Sequence, residues 1–227
     1  MPTDIPAVVV DRLPHYLRTL RLMLDDGIEV VSSRELGEAL GTTPAQIRKD
    51  LSYFGRFGKQ GRGYDVSALL GDLTRILGLE RSWPVVLVGV GRLGRAIITY
   101  PGLTPEGFHV RAAFDADPSI VGSNVDSVPV RPASEMERFI RDERIEIAIL
   151  ATPGDVAQDV IDRLVACGIR GILNYAPMTP HVPNGITVRT IDPVQALQTM
   201  TFYLRDSEEE EDLLPKRNRG RRGNGRR

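Results

Sequence analysis

The sequence has a single cysteine, Cys167, and only three histidines among its 227 residues. One cysteine cannot form a disulfide framework or a cysteine-rich zinc site, and it is typical of a reducing compartment. The histidines, His15, His109 and His181, lie in no pattern of metal ligands and in no pattern of a hydride-transfer acid and base. We therefore predict no metal site and no catalytic residues.

Long apolar runs and an excess of charge of either sign are also missing. No apolar run approaches the ~20 residues needed to span a bilayer, so we predict no membrane association. The N-terminus lacks the basic region and apolar run of a signal peptide, which predicts a cytoplasmic location. The formal net charge is −1, so affinity for nucleic acid would have to come from a local basic patch.

The composition changes along the chain and predicts four regions. Residues 1–82 combine helical periodicity with a basic, glycine-rich segment, and residues 83–192 alternate short apolar runs with amphipathic stretches. Residues 193–205 predict one further helix. Residues 206–227 hold an acidic block and then a basic block with almost no apolar residues, so we predict that they are disordered. This tail either aids solubility or adds non-specific attraction to phosphate.

The first region predicts two short helices joined by a turn that contains glycine. Ser32 and Glu35 form a capping-box pattern at the start of the first helix. Thr43 and Pro44 are typical of the start of the second helix, and Gly55 of its end. This arrangement is a helix-turn-helix, whose second helix enters the major groove of DNA in many proteins.

The predicted second helix and the segment after it carry polar and basic side chains. Gln, Arg and Lys reach base edges and phosphates, and a glycine-rich hairpin can approach a minor groove as a wing does. A generic helical domain with a solvated basic face is the alternative. The predicted DNA-contacting residues here are Gln46, Arg48, Lys49, Ser52, Arg56, Lys59, Arg62 and Tyr64.

The stretch "VVLVGVGRLGRAI", residues 85–97, predicts a buried strand, a glycine-rich turn and the start of a helix. Gly89, Gly91 and Gly94 fit G-x-G-x-x-G, in which the glycines allow a tight turn, close approach to a pyrophosphate, and helix packing. Asp115 ends the next predicted strand, where an acid can bind the ribose 2′-hydroxyl and disfavour a 2′-phosphate. We therefore predict NAD(H) over NADP(H).

Strands that alternate with helices imply a doubly wound parallel sheet, which binds ligands at the carboxyl ends of its strands. The predicted cofactor-binding residues are Gly89, Val90, Gly91, Arg92, Leu93, Gly94, Asp115, Thr152, Pro153, Asn174 and Tyr175. Two alternatives stay open at this point. One is an NAD-dependent oxidoreductase with an appended helical domain. The other is a CoA-binding module, which "ILATPGDVAQDVIDRL" and "GIRGILNYAP" also resemble.

Five segments together are similar to one family. "RLPHYLRTL", "IRKDLSYFGRFGKQGRGYDV", "VGVGRLGRAIITYPG", "FDADP" and "ILNYAP" resemble the Rex family of redox-sensing transcriptional repressors, over about residues 8–204. The resemblance implies an α/β protein without enzymatic activity, a homodimer with an N-terminal winged helix and a C-terminal Rossmann-like domain. It also implies that the dimer binds palindromic, double-stranded operator DNA with NAD⁺ and leaves it when NADH rises.

The same resemblance assigns roles outside the two motifs. Arg12 is expected to contact a DNA phosphate. Arg18, Tyr100 and Asp192 are expected to form a network across the dimer that responds to the redox state of the nicotinamide. The final helix resembles the family's domain-swapped helix, since an apolar stripe along it fits burial against a partner. The stripe consists of Val194, Leu197, Met200 or Thr201, and Leu204.

Overall fold

A computed structural model of the chain describes residues 5–58 and 62–213, with side chains up to residue 205. The sequence predictions for Lys59 and for residues 214–227 lie outside the described residues. In the part that is described, no helix is both long enough and apolar enough to cross a membrane.

The described chain folds into two compact units. The first unit holds the chain up to Trp83 together with Pro101–His109, and the second holds Pro84–Tyr100 and the chain from Val110 onward. The boundary predicted after residue 82 lies beside the structural one. The return of Pro101–His109 to the first unit was not predicted.

Backbone and side-chain contacts join the returning segment to the first unit. The Trp83 backbone N–H donates to the carbonyl of Gly107 over 2.8 Å, and the indole N–H donates to the carbonyl of Gly78 over 2.9 Å. Arg21 forms an ion pair with Glu106. These non-local contacts explain why the segment packs with residues distant from it in sequence.

The first unit is mainly helical, with a small sheet of two strands, Val30–Val31 and Tyr64–Asp65, which lie before and after the two central helices in the sequence. Its strands β1 and β2 pair antiparallel, with Val31 opposite Tyr64. A 3₁₀ turn covers Thr104–Glu106. The helices are α1 (Ala7–Asp25), α2 (Ser33–Leu40), α3 (Pro44–Ser52) and α4 (Val66–Ile76), and the strands are β1 (Val30–Val31) and β2 (Tyr64–Asp65).

Local capping fixes the ends of the two central helices. The Glu35 N–H donates to Ser32 Oγ and the Ser32 N–H donates to the Glu35 carboxylate, so the predicted capping box of α2 is confirmed. Thr43 Oγ1 accepts from the Gln46 N–H at the start of α3. Gly37 lets the two helices approach closely, because a Cβ there would lie 2.7 Å from the Thr42 carbonyl oxygen.

The second unit is built on a seven-stranded sheet in the order β5-β6-β4-β3-β7-β8-β9. The pairs β3–β7, β4–β6, β7–β8 and β8–β9 are parallel, and β5 is antiparallel to β6. The strands are β3 (Trp83–Val88), β4 (Phe108–Asp115), β5 (Asn124–Val125), β6 (Val128–Pro132), β7 (Ile147–Leu150), β8 (Gly171–Asn174) and β9 (Thr187–Thr190). The helices are α5 (Arg92–Ile98), α6 (Met136–Glu143), α7 (Gly154–Ala166) and α8 (Pro193–Leu213).

The strand order places a switch point beside β3. The chain proceeds from β3 to β4 and β6 on one side, and then returns to β7 on the other side of β3. In open α/β sheets, ligands bind in the crevice that such a reversal leaves at the carboxyl ends of the strands. The glycine turn after β3 lies at this position.

Helix α8 differs from the prediction in its length. It continues to Leu213, so the prediction of disorder from residue 206 is wrong for residues 206–213. Glutamate and leucine are good helix formers, and the acidic block therefore extends a helix that has already begun. The apolar stripe of α8 (Val194, Leu197, Met200 and Leu204) is exposed in the single chain.

Candidate nucleic-acid interface and nucleotide site

Helix α3 presents a polar and basic face. Arg48, Lys49 and Ser52 are exposed on it, whereas Ile47 and Leu51 are buried in the core of the first unit. The Arg48 guanidinium donates to Ser33 Oγ over 2.8 Å, so this arginine is oriented by the start of α2. The arrangement suits a helix whose outer side chains contact the major groove.

A surface concavity of about 850 Å³ lies beside this face, between α3, the start of α2 and the glycine-rich residues that precede β2. Arg48, Ser52 and Arg56 line it, together with Tyr64. Tyr64 is only 8% exposed, and burial raises the pKa of its hydroxyl. Its ring packs in the core, so it supports the wall of the concavity more than it projects from it.

Two glycines of the segment between α3 and β2 have a backbone conformation of the kind that a tight turn needs. Gly58 and Gly63 both have positive φ, near 76°. A Cβ at Gly58 would lie 2.5 Å from the Gly63 carbonyl oxygen, and one at Gly63 would lie 2.7 Å from that of Val31. Glycine is therefore required at both positions. Arg56 and Arg62 are exposed on this segment.

One acidic residue of α3 is fully buried. Asp50 accepts from Arg12 Nε and Nη2 over 2.6 and 2.7 Å, from the Tyr16 hydroxyl over 2.6 Å, and from Gln46 Nε2 over 2.6 Å. Burial alone would raise the pKa of Asp50, but these hydrogen bonds outweigh it and hold the pKa below its usual value. We call Arg12, Tyr16, Gln46 and Asp50 the Asp50 cluster.

The Asp50 cluster gives two residues that were predicted to contact DNA a partner within the protein. Arg12 and Gln46 were expected to face DNA, and the structure directs the side chains of both toward Asp50. Sequence reasoning missed Asp50 because it counted as a lone acid among basic residues. The available signal was spacing, since Gln46 and Asp50, like Arg12 and Tyr16, are four residues apart on a helix.

The three glycines of the nucleotide motif differ in what surrounds them. Gly89 has φ of 96°, and a Cβ there would lie 2.6 Å from the Ala151 carbonyl oxygen. A Cβ at Gly94 would lie 2.0 Å from the carbonyl oxygen of Gly89, so α5 can pack against the turn only with glycine. Among the described residues, no heavy atom other than those of its chain neighbours and nearby helix backbone lies within 4 Å of a Cβ at Gly91, which leaves room for a phosphate to reach the backbone.

Asp115 lies at the end of β4, where its carboxylate joins that strand to the glycine turn. The Val90 N–H donates to Asp115 Oδ2 over 2.6 Å, and the Asp117 N–H donates to Oδ1 over 2.9 Å. A carboxylate has about four lone-pair positions, so Asp115 can still accept from ribose hydroxyls. An acid at the end of this strand disfavours a 2′-phosphate because the two charges repel.

The loops after β7 and β8 bring the other predicted residues to the same edge of the sheet. Thr152 Oγ1 is buried and has no hydrogen-bond partner among the described residues, a state that costs free energy unless a ligand satisfies it. Asn174 is fully buried and its amide is bonded to Ala176 of its own loop. Pro153 is exposed and Tyr175 is partly exposed. These surroundings fit a dinucleotide.

The three residues of the expected redox network each lie in separate surroundings in this chain. Arg18 is exposed on α1, and Tyr100 is 62% exposed directly after α5. Asp192 Oδ1 accepts from the Val194 N–H over 2.8 Å, which caps the start of α8. The joint role of these three residues stays a prediction.

Cys167 and His181 have ordinary structural surroundings. Cys167 is buried, and burial raises the pKa of its thiol. His181 is exposed, and its backbone exchanges two hydrogen bonds with the Gln158 amide. Across residues 5–58 and 62–213, no group of three His, Cys, Asp or Glu side chains is arranged to hold a metal ion.

Comparisons with known proteins agree with this geometry. Residues 4–52 match the family model described as the N-terminus of a putative DNA-binding protein, and residues 80–178 match the CoA binding domain model. The redox-sensing transcriptional repressor Rex of Roseiflexus sp. strain RS-1 is 52% identical over 88% of this chain and 90% of the relative. The chain belongs to the Rex family.

Other members of the Rex family cover the chain in the same way. Rex of Chloroflexus aurantiacus is 52% identical over 90% of this chain and 96% of its own length. Rex of Streptomyces coelicolor is 45% identical over 88% and 77%. These relatives are named transcriptional repressors, so the predictions of a redox-sensing repressor and of a non-enzyme are confirmed.

Solved structures of a Rex-family repressor share the fold. RSP in complex with NAD⁺ and operator DNA is 38% identical, with a TM-score of 0.87 over 93% of this chain and 97% of that one. RSP in complex with NADH is 36% identical, with a TM-score of 0.84 over 93% and 99%. The predicted winged-helix unit followed by a Rossmann-like sheet is thus confirmed, while the domain swap stays a prediction.

Proposed function

We propose that this chain represses transcription by binding operator DNA, and that NADH releases it from the operator whereas NAD⁺ does not. The observation that carries the proposal is its similarity, along 93% of its length, to a Rex-family repressor solved both with NAD⁺ and operator DNA and with NADH. The proposal includes a cytoplasmic location, the reducing compartment that a chain with one free cysteine suits.

On the DNA side, α3 enters the major groove and the glycine-rich segment between α3 and β2 contacts the minor groove or backbone. Arg48, Lys49 and Ser52 contact bases or phosphates from α3, because they are exposed and carry the donors that reach both. Arg56 and Arg62 extend the contact along this segment, and Lys59 belongs to the same proposal. A palindromic operator follows if two copies bind with two-fold symmetry.

On the nucleotide side, the backbone of the glycine turn holds the pyrophosphate and Asp115 accepts from the ribose. Arg92 and Leu93 begin α5, where free N–H groups of a helix start point toward an anion, and Val90 ties the turn to Asp115 through its own N–H. The Thr152 hydroxyl gains a partner when the dinucleotide binds. The bound NAD(H) supplies a ring whose charge depends on its redox state.

The response requires two states of a homodimer. Arg18, Tyr100 and Asp192 form the network that distinguishes the states, and α8 inserts into the partner. NADH must bind the state released from DNA more tightly than NAD⁺ does, since a ligand with equal affinity for both states shifts nothing. The uncharged dihydronicotinamide enters a drier environment at lower cost than the cationic ring.

The test measures operator binding across NADH/NAD⁺ ratios. Fluorescence anisotropy of a labelled operator should show affinity that falls as NADH is added and recovers when NAD⁺ is in excess. Arg48→Ala and Lys49→Ala should weaken operator binding and leave NADH titrations unchanged, because both residues are remote in sequence from the nucleotide turn. Operator affinity that is indifferent to NADH would contradict the proposal.

A CoA-binding module is the second candidate, because residues 80–178 match the CoA binding domain model. Displacement of NADH separates the two candidates. We expect NAD⁺ to displace bound NADH and CoA to leave it bound, since Asp115 opposes a phosphate beside the ribose. Displacement by CoA at lower concentration than NAD⁺ would favour the second candidate.

A further inference from the structure

The Asp50 cluster joins the DNA-reading helix to α1 through an ion pair with two parallel hydrogen bonds. Asp50 lies on α3 and is fully buried, and Arg12 lies on α1, 38 residues earlier. The Arg12 Nε and Nη2 donors meet the two carboxylate oxygens separately, at 2.6 and 2.7 Å. Such a fork is directional as well as strong. It restrains how α3 is rotated about its own axis.

Apolar packing alone restrains that rotation less. Ile47 and Leu51 bury the inner face of α3, but hydrophobic burial is non-directional. Successive residues of a helix are about 100° apart, so the direction of Asp50 sets the directions of Arg48 and Lys49. The Gln46 amide, one turn earlier on α3 itself, donates to Asp50 over 2.6 Å and helps to hold the carboxylate in place for Arg12.

The positive charge of Arg12 is also balanced within the protein. Its side chain is 29% exposed, and its partner Asp50 carries the opposite charge at 0% exposure. The hydrogen bond from the Tyr16 hydroxyl and that from Gln46 complete the surroundings of the carboxylate. The pair is therefore nearly neutral as seen from a DNA phosphate, unlike the exposed Lys49 beside it.

We propose that Arg12 and Asp50 are positioning residues, which fix the rotation of α3 and act on operator DNA through Arg48 and Lys49. This inference rests on the proposed function. It differs from the expectation that Arg12 itself contacts a phosphate, and the two roles predict different salt dependence. The slope of log K against log salt concentration is negative for DNA binding. Removing one phosphate contact makes this slope shallower by about 0.9.

The first test is Arg12→Lys, which keeps the positive charge opposite Asp50 but loses the planar fork. We expect operator affinity to fall by about tenfold, the scale of one lost base contact, while affinity for a scrambled duplex and the salt slope stay unchanged. A phosphate-contacting Arg12 predicts that lysine preserves operator affinity. Unchanged discrimination between operator and scrambled duplex would overturn the proposal.

The second test removes the whole pair with Arg12→Met and Asp50→Leu together, since apolar replacements of a buried ion pair are often neutral for stability. We expect operator discrimination to fall and the salt slope to stay unchanged. The matched control is Lys49→Ala, an exposed neighbour of Asp50. It should make the salt slope shallower by about 0.9 and lower the affinity for both the operator and the scrambled duplex. A double variant whose salt slope becomes shallower, as that of the control does, would overturn the positioning role.

A third readout separates failure of this inference from failure of the proposed function. NADH titration of each variant should give the affinity of the unsubstituted protein, which shows that the second unit is folded. If Lys49→Ala and the double variant both leave DNA binding unchanged, the proposed DNA face is wrong. If only the double variant leaves operator discrimination unchanged, the positioning role alone is wrong.

Discussion

Burial determines how much each of two arginine–carboxylate ion pairs contributes to the stability of the first unit. Arg12 pairs with Asp50, which is fully buried, whereas Arg21 pairs with Glu106 and both of those side chains are about two-fifths exposed, at 43% and 41%. Water and salt screen the exposed pair. Removing one member of the buried pair leaves a charge in a site that cannot solvate it.

Arg12→Ala should therefore lower the free energy of unfolding by about 3–5 kcal/mol, as expected when a buried ion pair loses one partner. Arg21→Ala should lower it by less than about 1 kcal/mol, the range of exposed pairs. Urea titration followed by fluorescence measures both, because the sole tryptophan, Trp83, lies in this unit. Equal losses in the two variants would show that burial does not govern these pairs.

The pKa of Asp50 gives the first unit a specific sensitivity to acid. Its folded-state pKa is lowered, so its contribution to stability is present above the unfolded-state pKa and is lost as pH falls through the folded-state value. Asp50→Asn should flatten the loss of stability below about pH 4, where ordinary aspartates titrate. Urea midpoints measured from neutral pH into this range test it, with Asp142→Asn as an exposed control. A parent-like acid slope in Asp50→Asn would contradict the assignment.

At the level of elements, the glycines of the turn after β3 meet two different requirements. Gly91 leaves space for a pyrophosphate, and Gly94 allows α5 to pack against the turn. Gly91→Ala has open space for its Cβ, whereas Gly94→Ala would press against the Gly89 carbonyl. We expect Gly91→Ala to change stability by within about 0.5 kcal/mol, as an exposed site does, and to weaken NADH binding, because the methyl group occupies the approach of the pyrophosphate.

Gly94→Ala should instead lower the free energy of unfolding by about 1–3 kcal/mol, because α5 must shift away from the turn. Thermal unfolding and NADH fluorescence titration of the two variants distinguish the cases. Gly91→Ala protein that binds NADH as the parent does would argue against a pyrophosphate at this turn.

Short-range patterns predicted the elements better than they predicted contacts between elements. The capping box at Ser32 and the glycine turn after β3 depend on neighbours within a few residues, and both were readable from the sequence. The Asp50 cluster joins residues 38 apart, and Arg21 meets Glu106 85 residues later. Periodicity holds no information on such pairings, because they depend on how helices pack.

At the level of the whole molecule, α8 carries an apolar stripe that one chain leaves exposed. Val194, Leu197, Met200 and Leu204 are each between 57% and 64% exposed. Burying apolar surface is favourable by about 25 cal/mol of free energy per Å², so a stripe of this kind favours association with another surface. The proposed function gives it one occupant, a second copy of the chain.

Leu197→Asp combined with Leu204→Asp should therefore convert the proposed dimer to a monomer, because two carboxylates would have to be desolvated in the contact. Operator affinity should fall with it, since two linked half-site contacts bind at a high effective concentration and separate ones do not. Light scattering and operator titration measure the two effects. The matched control is Gln198→Asp, an exposed polar position on the same helix, which should leave the dimer intact. A double variant that remains dimeric and binds the operator as before would place the dimer contact elsewhere than α8.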